Sequence, residues 1–226
     1  MDPSSHPDLK IDQMPQTLRE IVLARLRSAI ISGRFASGER LVERTLCDQL
    51  GVSRSVVREV IRILEAEGLV DSAGGRGPRV ARLDWAQARQ IYDIRLLLEG
   101  QAATACAAAV DDALRADLTA ALAGLQAAHA AGLEGGLFDA TTRFYEVIFR
   151  AAGHDIAWEI VQRLNGRISR LRALTLATTD RHVSGQARMA QIAAAILRGD
   201  GPGAEAAVTD HLTEAAAIAQ RLLGGD

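Results

Sequence analysis

The sequence lacks the features that mark a membrane-spanning, secreted or disulfide-bonded protein. No apolar run approaches the roughly 20 residues needed to span a bilayer, and the opening segment is polar rather than a charged leader with an apolar stretch. The two cysteines, Cys47 and Cys106, lack a CxxC spacing and fall within helical patterns. We therefore expect a globular, cytoplasmic protein without membrane contact, disulfide framework or zinc knuckle.

The sequence also lacks the short motifs that usually accompany catalysis. It contains no G-x-S-x-G, no H-E-x-x-H and no phosphate-binding P-loop, and neither cysteine pairs with a histidine in an interpretable arrangement. Glu146 and Glu159 are typical of ordinary acidic residues on helices. We therefore expect that the protein is not an enzyme.

Lysine is nearly absent, since Lys10 is the only one, and the positive charge is carried by arginine. The net charge of −2 hides an asymmetry along the chain. Residues 16–83 carry 12 arginines and 8 acidic residues, whereas residues 84–226 carry 13 arginines and 17 acidic residues. The first part, with a net charge of +4, could therefore contact phosphate.

Three amphipathic helices are predicted in the basic part. The first carries apolar residues at helical spacing from Leu18 to Ile30 and stops at Gly33. The second covers Arg44 to Leu50 and is ended by Gly51. The third begins after Ser53, which we expect to cap it, and has a stripe of arginines opposite its apolar face: Arg54, Arg58 and Arg62.

The pattern then changes to two short strands around a glycine-rich tip. Residues 69–73 and 79–82 have strand character, and the tip between them contains Gly75 and Arg76. Three helices followed by such a hairpin predict a winged helix-turn-helix over residues 16–83, after a flexible leader over residues 1–15.

The remainder, residues 84–226, predicts an all-helical domain. Glycine, aspartate and proline divide it into about six segments with helical periodicity, and its many alanines favour helices and permit their close approach. The fold class expected is therefore mainly α, with an antiparallel helical bundle. The segments are 85–109, 112–131, 138–152, 156–178, 185–198 and 202–223.

The stretch from Gly51 to Val70, GVSRSVVREVIRILEAEGLV, resembles the recognition helix and following turn of the GntR family of bacterial regulators. Upstream, Ile31-x-Gly33 and the run from Gly38 to Leu41 also fit the family pattern, with Ser37 in place of proline. The resemblance covers nearly the whole first domain. It implies a DNA-binding winged helix-turn-helix.

The resemblance also implies which residues contact double-stranded DNA. Arg44 of the second helix would do so, together with residues of the third helix, and the wing tip would reach the minor groove. Independently, a first turn that presents Ser53, Arg54 and Ser55 can face base edges and phosphates. The alternative is a solvated basic helix face. The predicted DNA-binding residues are Arg44, Ser53, Arg54, Ser55, Arg58, Gly75 and Arg76.

Residues 91–103, IYDIRLLLEGQAA, resemble the opening helix of the FCD-type effector domain in the FadR-like branch of that family. Many members of this branch hold a divalent metal with one aspartate and three histidines. Here Thr141, Tyr145 and Met189 occupy three of those positions, and only His211 matches. Hydroxyl and thioether groups are poor substitutes for carboxylate and imidazole, so we expect no metal and no other cofactor.

A shifted ligand set would use Asp139, His182 and His211. His182 lies seven residues before Met189, which places it about 10 Å too far along the helix axis at 1.5 Å per residue. For His211 itself two interpretations stay open. It is either a hydrogen-bonded core histidine or a residue that contacts the effector.

Without a metal, an anionic effector needs another cation, and a buried guanidinium is the natural substitute. Arg95 and Arg143 are the candidates, although Arg143 lies two residues from Tyr145 and helix geometry gives it a different direction. Tyr145 and Met189 would line the pocket. Three further arginines on the fourth bundle helix are alternatives, although such runs are typical of solvated faces: Arg167, Arg170 and Arg172.

These observations predict a ligand-responsive transcription regulator, most simply a repressor. It would bind a pseudo-palindromic operator as a homodimer, because one recognition helix covers only half a typical site. A small carboxylate-bearing metabolite, an organic acid, would change its DNA affinity by shifting the population of its conformations. The alternative is an architectural DNA-binding protein with a ligand-independent helical dimerisation domain.

Overall fold

The protein is mainly α-helical, as predicted. The computed structural model describes residues 17–72, 77–131, 134–176 and 185–224, and within these ranges it contains nine α-helices and one two-stranded sheet. No helix in the described ranges is long and apolar enough to cross a membrane. The elements are α1 (Leu18–Ile31), α2 (Glu43–Leu50), α3 (Arg54–Ala66), β1 (Val70–Asp71), β2 (Arg79–Val80), α4 (Trp85–Ala108), α5 (Asp112–Ala130), α6 (Glu134–Ala151), α7 (Asp155–Leu176), α8 (Gly185–Leu197) and α9 (Gly201–Leu223).

The first three helices and the hairpin form a winged helix around their own apolar core. The first helix begins at a capping box in which the Thr17 hydroxyl accepts from the Glu20 amide and the Glu20 carboxylate accepts from the Thr17 amide. The second ends at Gly51, whose φ of 66° places it in the left-handed region. The core contains side chains from all three helices, including Leu26, Leu46 and Leu64.

The wing is an antiparallel hairpin with strands shorter than predicted. Val70 lies opposite Val80, and each strand has two residues. The segment before α2 pairs with the other side of β2. The Val80 amide donates to the carbonyl of Glu39, and the Leu41 amide donates to that of Pro78. A proline cannot donate to the ladder, which shortens β2 on the side of the tip.

The six later helices form a bundle with a separate core. Helix α4 packs along α9, α8 packs on α9 and α5 packs on α6. Alanines fill much of the interface, and Gly201 lies against Thr104, so the backbones approach closely. Most helix boundaries agree with the predictions to within two residues. Helix α6 begins at Glu134, four residues before the predicted start.

Helix α7 joins the two parts. Its Gly166 amide donates a 2.9 Å hydrogen bond to the carbonyl of Glu67, the residue that follows α3. One turn later the Arg170 guanidinium donates to the carbonyl of Ala81, just after β2. The end of the third helix and the base of the wing therefore both rest on a helix of the bundle.

Candidate operator-binding surface and effector-domain core

The amino-terminal end of α3 presents an exposed, basic surface. The side chains of Arg54 and Arg58 are 63% and 59% exposed, whereas Val57 and Val60 of the same helix are buried in the domain core. Ser53 and Ser55 are exposed in the same turn, and Arg44 is exposed on α2. Five of the seven predicted DNA-binding residues are therefore exposed, and four of them, Ser53, Arg54, Ser55 and Arg58, lie together at the start of α3.

A carboxylate beside this surface pairs with its arginines. Both Glu43 oxygens lie 3.0 Å from Arg58 Nε, and one lies 4.0 Å from Arg54 Nε. Glu43 is the first residue of α2, so the turn between α2 and α3 brings it to the arginines. A phosphate or base that binds Arg58 through Nε must displace Glu43. This residue was missed by the sequence analysis, because the contact spans 15 positions and has no local signal.

Ser53 has the backbone position of a helix cap but not its hydrogen bond. Its φ and ψ of −70° and 157° are those of an N-cap residue, yet its hydroxyl does not accept from the first turn. Instead the Ser53 and Ser55 hydroxyls lie 2.8 Å apart. The expected side-chain cap is therefore absent, which leaves the amides of the first turn without that partner.

The remaining predicted contacts, Gly75 and Arg76, lie outside the described residues. The described base of the wing is held by Arg79, whose guanidinium donates to the carbonyl of Gly38 at 3.1 Å.

A group of charged and aromatic side chains lies in and beside the core of the bundle; we call it the arginine cluster. It consists of Arg95, Glu99 and Tyr145, which are buried, and Arg172, which is half-buried. Arg95 and Glu99 are each 1% exposed and form a forked pair on α4, with Nε and Nη2 donating at 2.6 and 3.2 Å. The Arg95 guanidinium also lies 5.8 Å from the ring centre of Tyr92. The pair is an i, i+4 contact, so the spacing of Arg95 and Glu99 could have indicated it.

The other half of the cluster comes from α6 and α7. The Arg172 guanidinium lies over the buried Tyr145 ring, 5.2 Å from its centre. The Tyr145 hydroxyl points to the sulfur of Met189 on α8, 3.8 Å away. The structure therefore brings together three residues predicted for the effector site, Arg95, Tyr145 and Met189. It places Arg172, one of the alternative arginines, beside them and adds Glu99.

Burial and charge alter the protonation equilibria in the cluster. Burial alone would lower the pKa of Arg95, but the Glu99 carboxylate outweighs it and raises that pKa above its ordinary value. Burial, reinforced by Glu99, raises the pKa of Tyr145, so its hydroxyl is neutral at pH 7. Burial and then the positive charge of Arg95 lower the pKa of Arg172 to about 10. At neutral pH both Arg95 and Arg172 therefore remain cations.

The other predicted effector residues have different positions. Thr141 is buried on α6, where its hydroxyl donates to the carbonyl of Leu137 at 2.7 Å, and His211 is buried on α9. Arg143 is 55% exposed and pairs with Glu146 at 3.1 Å, so the structure does not bring it to the cluster. Its exposure follows from its two-residue offset from the buried Tyr145.

The four positions that correspond to the metal ligands of related proteins do not fit a divalent ion. The Thr141 hydroxyl is bonded to its own helix, and the Tyr145 hydroxyl and Met189 sulfur are bonded to each other. Among the described residues, no three histidine, cysteine, aspartate or glutamate side chains are close enough to hold a metal ion. Only His211 is an ordinary metal ligand.

The α7 arginines do not form the solvated face that such runs usually indicate. Arg170 contacts the base of the wing, and burial lowers its pKa. Arg167 lies beside Gly68, at the turn after α3. Arg172 faces the opposite way, into the bundle. The reason is the docking of α7, which turns one side of the helix to the winged helix and the other to the core.

Comparison with known proteins agrees with this architecture. Residues 18–80 match the model of the bacterial regulatory proteins of the gntR family, and residues 90–214 match the FCD domain. An uncharacterised HTH-type transcriptional regulator in an unstable DNA locus of Streptomyces ambofaciens is 30% identical over 87% of this chain and 83% of its own. The HTH-type transcriptional repressor RspR of Escherichia coli is 26% identical over 88% of this chain and 87% of its own.

The fold is also found in solved structures. A transcriptional regulator GntR from Rhodococcus sp. RHA1 superimposes with a TM-score of 0.70 and 24% identity, covering 92% of this chain and 98% of that one. At this identity the likeness concerns the fold. With the two family matches and the full-length relatives, the conclusion is that the chain belongs to the GntR family of DNA-binding transcription regulators and carries an FCD domain.

Proposed function

We propose that this regulator is a ligand-responsive repressor that binds a pseudo-palindromic operator as a homodimer. The observation that carries the proposal is the joining, through α7, of an exposed arginine surface on a winged helix to a helical bundle whose core holds the buried Arg95–Glu99 pair. The proposed ligand is a small, carboxylate-bearing metabolite. Its binding would change operator affinity by favouring one arrangement of the two domains.

The DNA-binding part of the proposal rests on the geometry of α3. Arg54, Ser55 and Arg58 occupy the first turns of a helix whose opposite face is the domain core, so they can enter a major groove together. Arg44 and Ser53 would flank them, and Gly75 and Arg76 would reach the adjacent minor groove. Two winged-helix domains, one from each protomer, would bind the two half-sites of an operator in chromosomal DNA, in the cytoplasm.

The sign of regulation is proposed as repression. Support comes from RspR, a repressor that this chain matches over nearly its whole length. An activator would make the same operator contacts, but its operator would lie at a different position relative to the promoter. A transcription assay with the operator placed upstream or within the promoter separates the two.

The test is a footprint of the promoter DNA that flanks the gene, with and without a panel of organic acids. We expect protection of an inverted repeat and a change in the protein concentration needed for half protection when the effector is present. Constant protection across all acids would favour the architectural alternative. Protection of a single half-site would contradict the dimeric reading, which size-exclusion chromatography with light scattering checks independently.

A further inference from the structure

Two arginines lie side by side at the base of the wing. Arg40, in the segment before α2, and Arg79, in β2, form an antiparallel bridge, so their side chains leave the same face of the hairpin. The next residues along the chain, Leu41 and Val80, are buried, whereas both arginines are exposed. Arg40 and Arg79 therefore occupy the outer face of the winged helix, and we call them the wing-base pair.

The described residues do not neutralise the two charges of the wing-base pair. Among them, no carboxylate forms an ion pair with either guanidinium. Asp71 of β1 lies opposite Arg79, but the Arg79 guanidinium donates to the carbonyl of Gly38, on the other side of β2. The Arg40 guanidinium lies against Gly77, where a β-carbon would be 3.6 Å from its Nε and Nη2. Because like charges directly opposite each other weaken the pairing of strands, an anion that bridges the two guanidinium groups would stabilise this arrangement.

We propose that the wing-base pair binds one phosphate of the DNA backbone, between the major groove and the adjacent minor groove. The inference rests on the proposed function, in which α3 enters the major groove and the wing reaches the minor groove. The backbone that separates these grooves then faces the residues that connect the two elements. A guanidinium matches phosphate oxygens with two parallel hydrogen bonds, so the two arginines can hold one phosphate from two sides.

The distance from the wing-base pair to the α3 arginines fits such a phosphate. Arg40 lies three residues before Glu43, and a Glu43 carboxylate oxygen is 3.0 Å from Arg58 Nε. Three residues of extended chain span at most about 11 Å, and the major groove is about 12 Å wide. A phosphate at the edge of the groove is therefore within reach of Arg40 while Arg58 faces the bases. Since phosphate contacts carry no sequence information, the pair would fix the position of α3 on the duplex rather than select the operator.

The first experiment is a gel-shift titration of the full chain at several salt concentrations, with the promoter DNA that flanks the gene and with a scrambled duplex. Arg40→Met/Arg79→Met should weaken binding severalfold, by a similar factor for both duplexes. It should also reduce the slope of log affinity against log salt concentration by about 1, because one phosphate contact is lost. Arg115→Met, which removes an exposed arginine from α5 of the bundle, is the matched control and should change neither quantity.

The second experiment locates the phosphate with modified DNA. Duplexes in which single phosphates are replaced by neutral methylphosphonates show which phosphates the wild-type protein needs. We expect one of them to lie on the backbone between the two grooves, and its replacement should have no effect on the Arg40→Met/Arg79→Met protein. Phosphates bound by other residues should keep their effect. Thermal unfolding of the variant checks that it is folded, and the scan of the wild type provides a test even if it is not.

Three results would overturn the proposal. In the first, the double variant keeps the affinity and the salt slope of the wild type, as expected for a solvated basic face. In the second, each methylphosphonate weakens the wild type and the double variant equally. In the third, the wild type needs no phosphate between the two grooves.

Arg54→Ala measured on the same duplexes separates this inference from the proposed function. A loss of affinity in the wing-base variant without any effect of Arg54→Ala would support the phosphate site and contradict the proposed role of Arg54. A loss in Arg54→Ala alone would support the proposed contact surface of α3 and overturn the role of the wing-base pair.

Discussion

Gly166 of α7 and Glu67 at the end of α3 meet backbone to backbone, through a 2.9 Å hydrogen bond from amide to carbonyl. A β-carbon at position 166 would collide with the Glu67 carbonyl oxygen and with Leu69. Because position 166 has no side chain, the end of α3 can rest directly on α7 of the bundle.

Gly166→Ala should weaken the docking of the winged helix on α7. The new methyl group meets backbone atoms that cannot move aside without shifting the whole end of α3. We expect a loss of about 1–3 kcal/mol in the free energy of unfolding, typical of overpacked sites, and faster proteolysis between the domains. Gly124→Ala is the control, because a β-carbon there meets nothing within 4 Å and should stabilise its helix by about 0.5–1 kcal/mol. Equal effects of the two substitutions would contradict the docking role.

Arg27→Met should destabilise the same junction. Arg27 on α1 forms a forked pair with Glu67 at 2.9 and 2.6 Å, lies 4.6 Å from the ring centre of Phe138 and is only 12% exposed. Its loss leaves the partly buried Glu67 carboxylate without this partner. We expect the free energy of unfolding, measured with urea, to fall by about 1–3 kcal/mol.

The comparison for Arg27→Met is Arg19→Met, which breaks an exposed pair with Glu59 at 3.7 Å and should cost less than about 1 kcal/mol. Adding Glu67→Gln to Arg27→Met should recover part of the loss. A double variant as unstable as the sum of the single ones would mean that the two side chains do not act together.

Arg95→Met should be among the most destabilising single changes in the bundle, because it removes the forked ion-pair partner of Glu99, whose side chain is 1% exposed. We expect a loss of about 3–5 kcal/mol in the free energy of unfolding. The double variant Arg95→Met/Glu99→Met removes both charges and should lie much closer to the wild type. If the double variant were less stable than Arg95→Met, the pair would not be the source of the loss.

Arg54→Ala should reduce affinity for the cognate operator by about 1–3 kcal/mol if the side chain makes a forked contact to a base. Arg62→Ala, two turns further along the same exposed stripe, is the matched control and should have a smaller effect. Gel-shift titrations with the operator and with a scrambled duplex measure both. An Arg54→Ala protein with unchanged operator affinity would remove this residue from the contact surface.

Glu43→Gln should strengthen binding to any duplex. The substitution removes the anion that competes with phosphate for Arg58, while the amide keeps the size of the side chain. Affinity for the scrambled duplex should rise severalfold, and the salt dependence should steepen as one more phosphate contact forms. Weaker binding in this variant would mean that Glu43 orients Arg58 for DNA rather than competing with it.

Local signals predicted most of the fold. Gly33 and Gly51 ended helices where the sequence indicated, and the apolar period set the buried face of α3. On α1 it placed Val22, Leu26 and Ile30 in the core, but Leu18 and Ile21 of the same predicted face are exposed. What could not be predicted were contacts between distant segments. Which of the α7 arginines faces the core depends on the rotation of that helix, and this rotation depends on how Gly166 meets Glu67.

The candidate effector site divides in the same way. Arg95, Tyr145 and Met189 could be named from their positions in a known pattern, and they do come together. Helix geometry alone indicated that Arg143 points away from the effector site, and its side chain is exposed. Which of the three α7 arginines lies over the Tyr145 ring could not be predicted from the sequence, because it depends on the rotation of α7.

The bond between Glu43 and Arg58 also affects how long the protein would stay on DNA that is not its operator. If Arg58 contacts DNA through Nε as proposed, a duplex that offers only phosphates would have to replace this carboxylate and would gain little by doing so. Each visit to ordinary chromosomal sequence would then be brief, and the protein would soon sample the next one. A carboxylate inside the reading head would in this way shorten the search for the operator, at the expense of the strength with which any DNA is held.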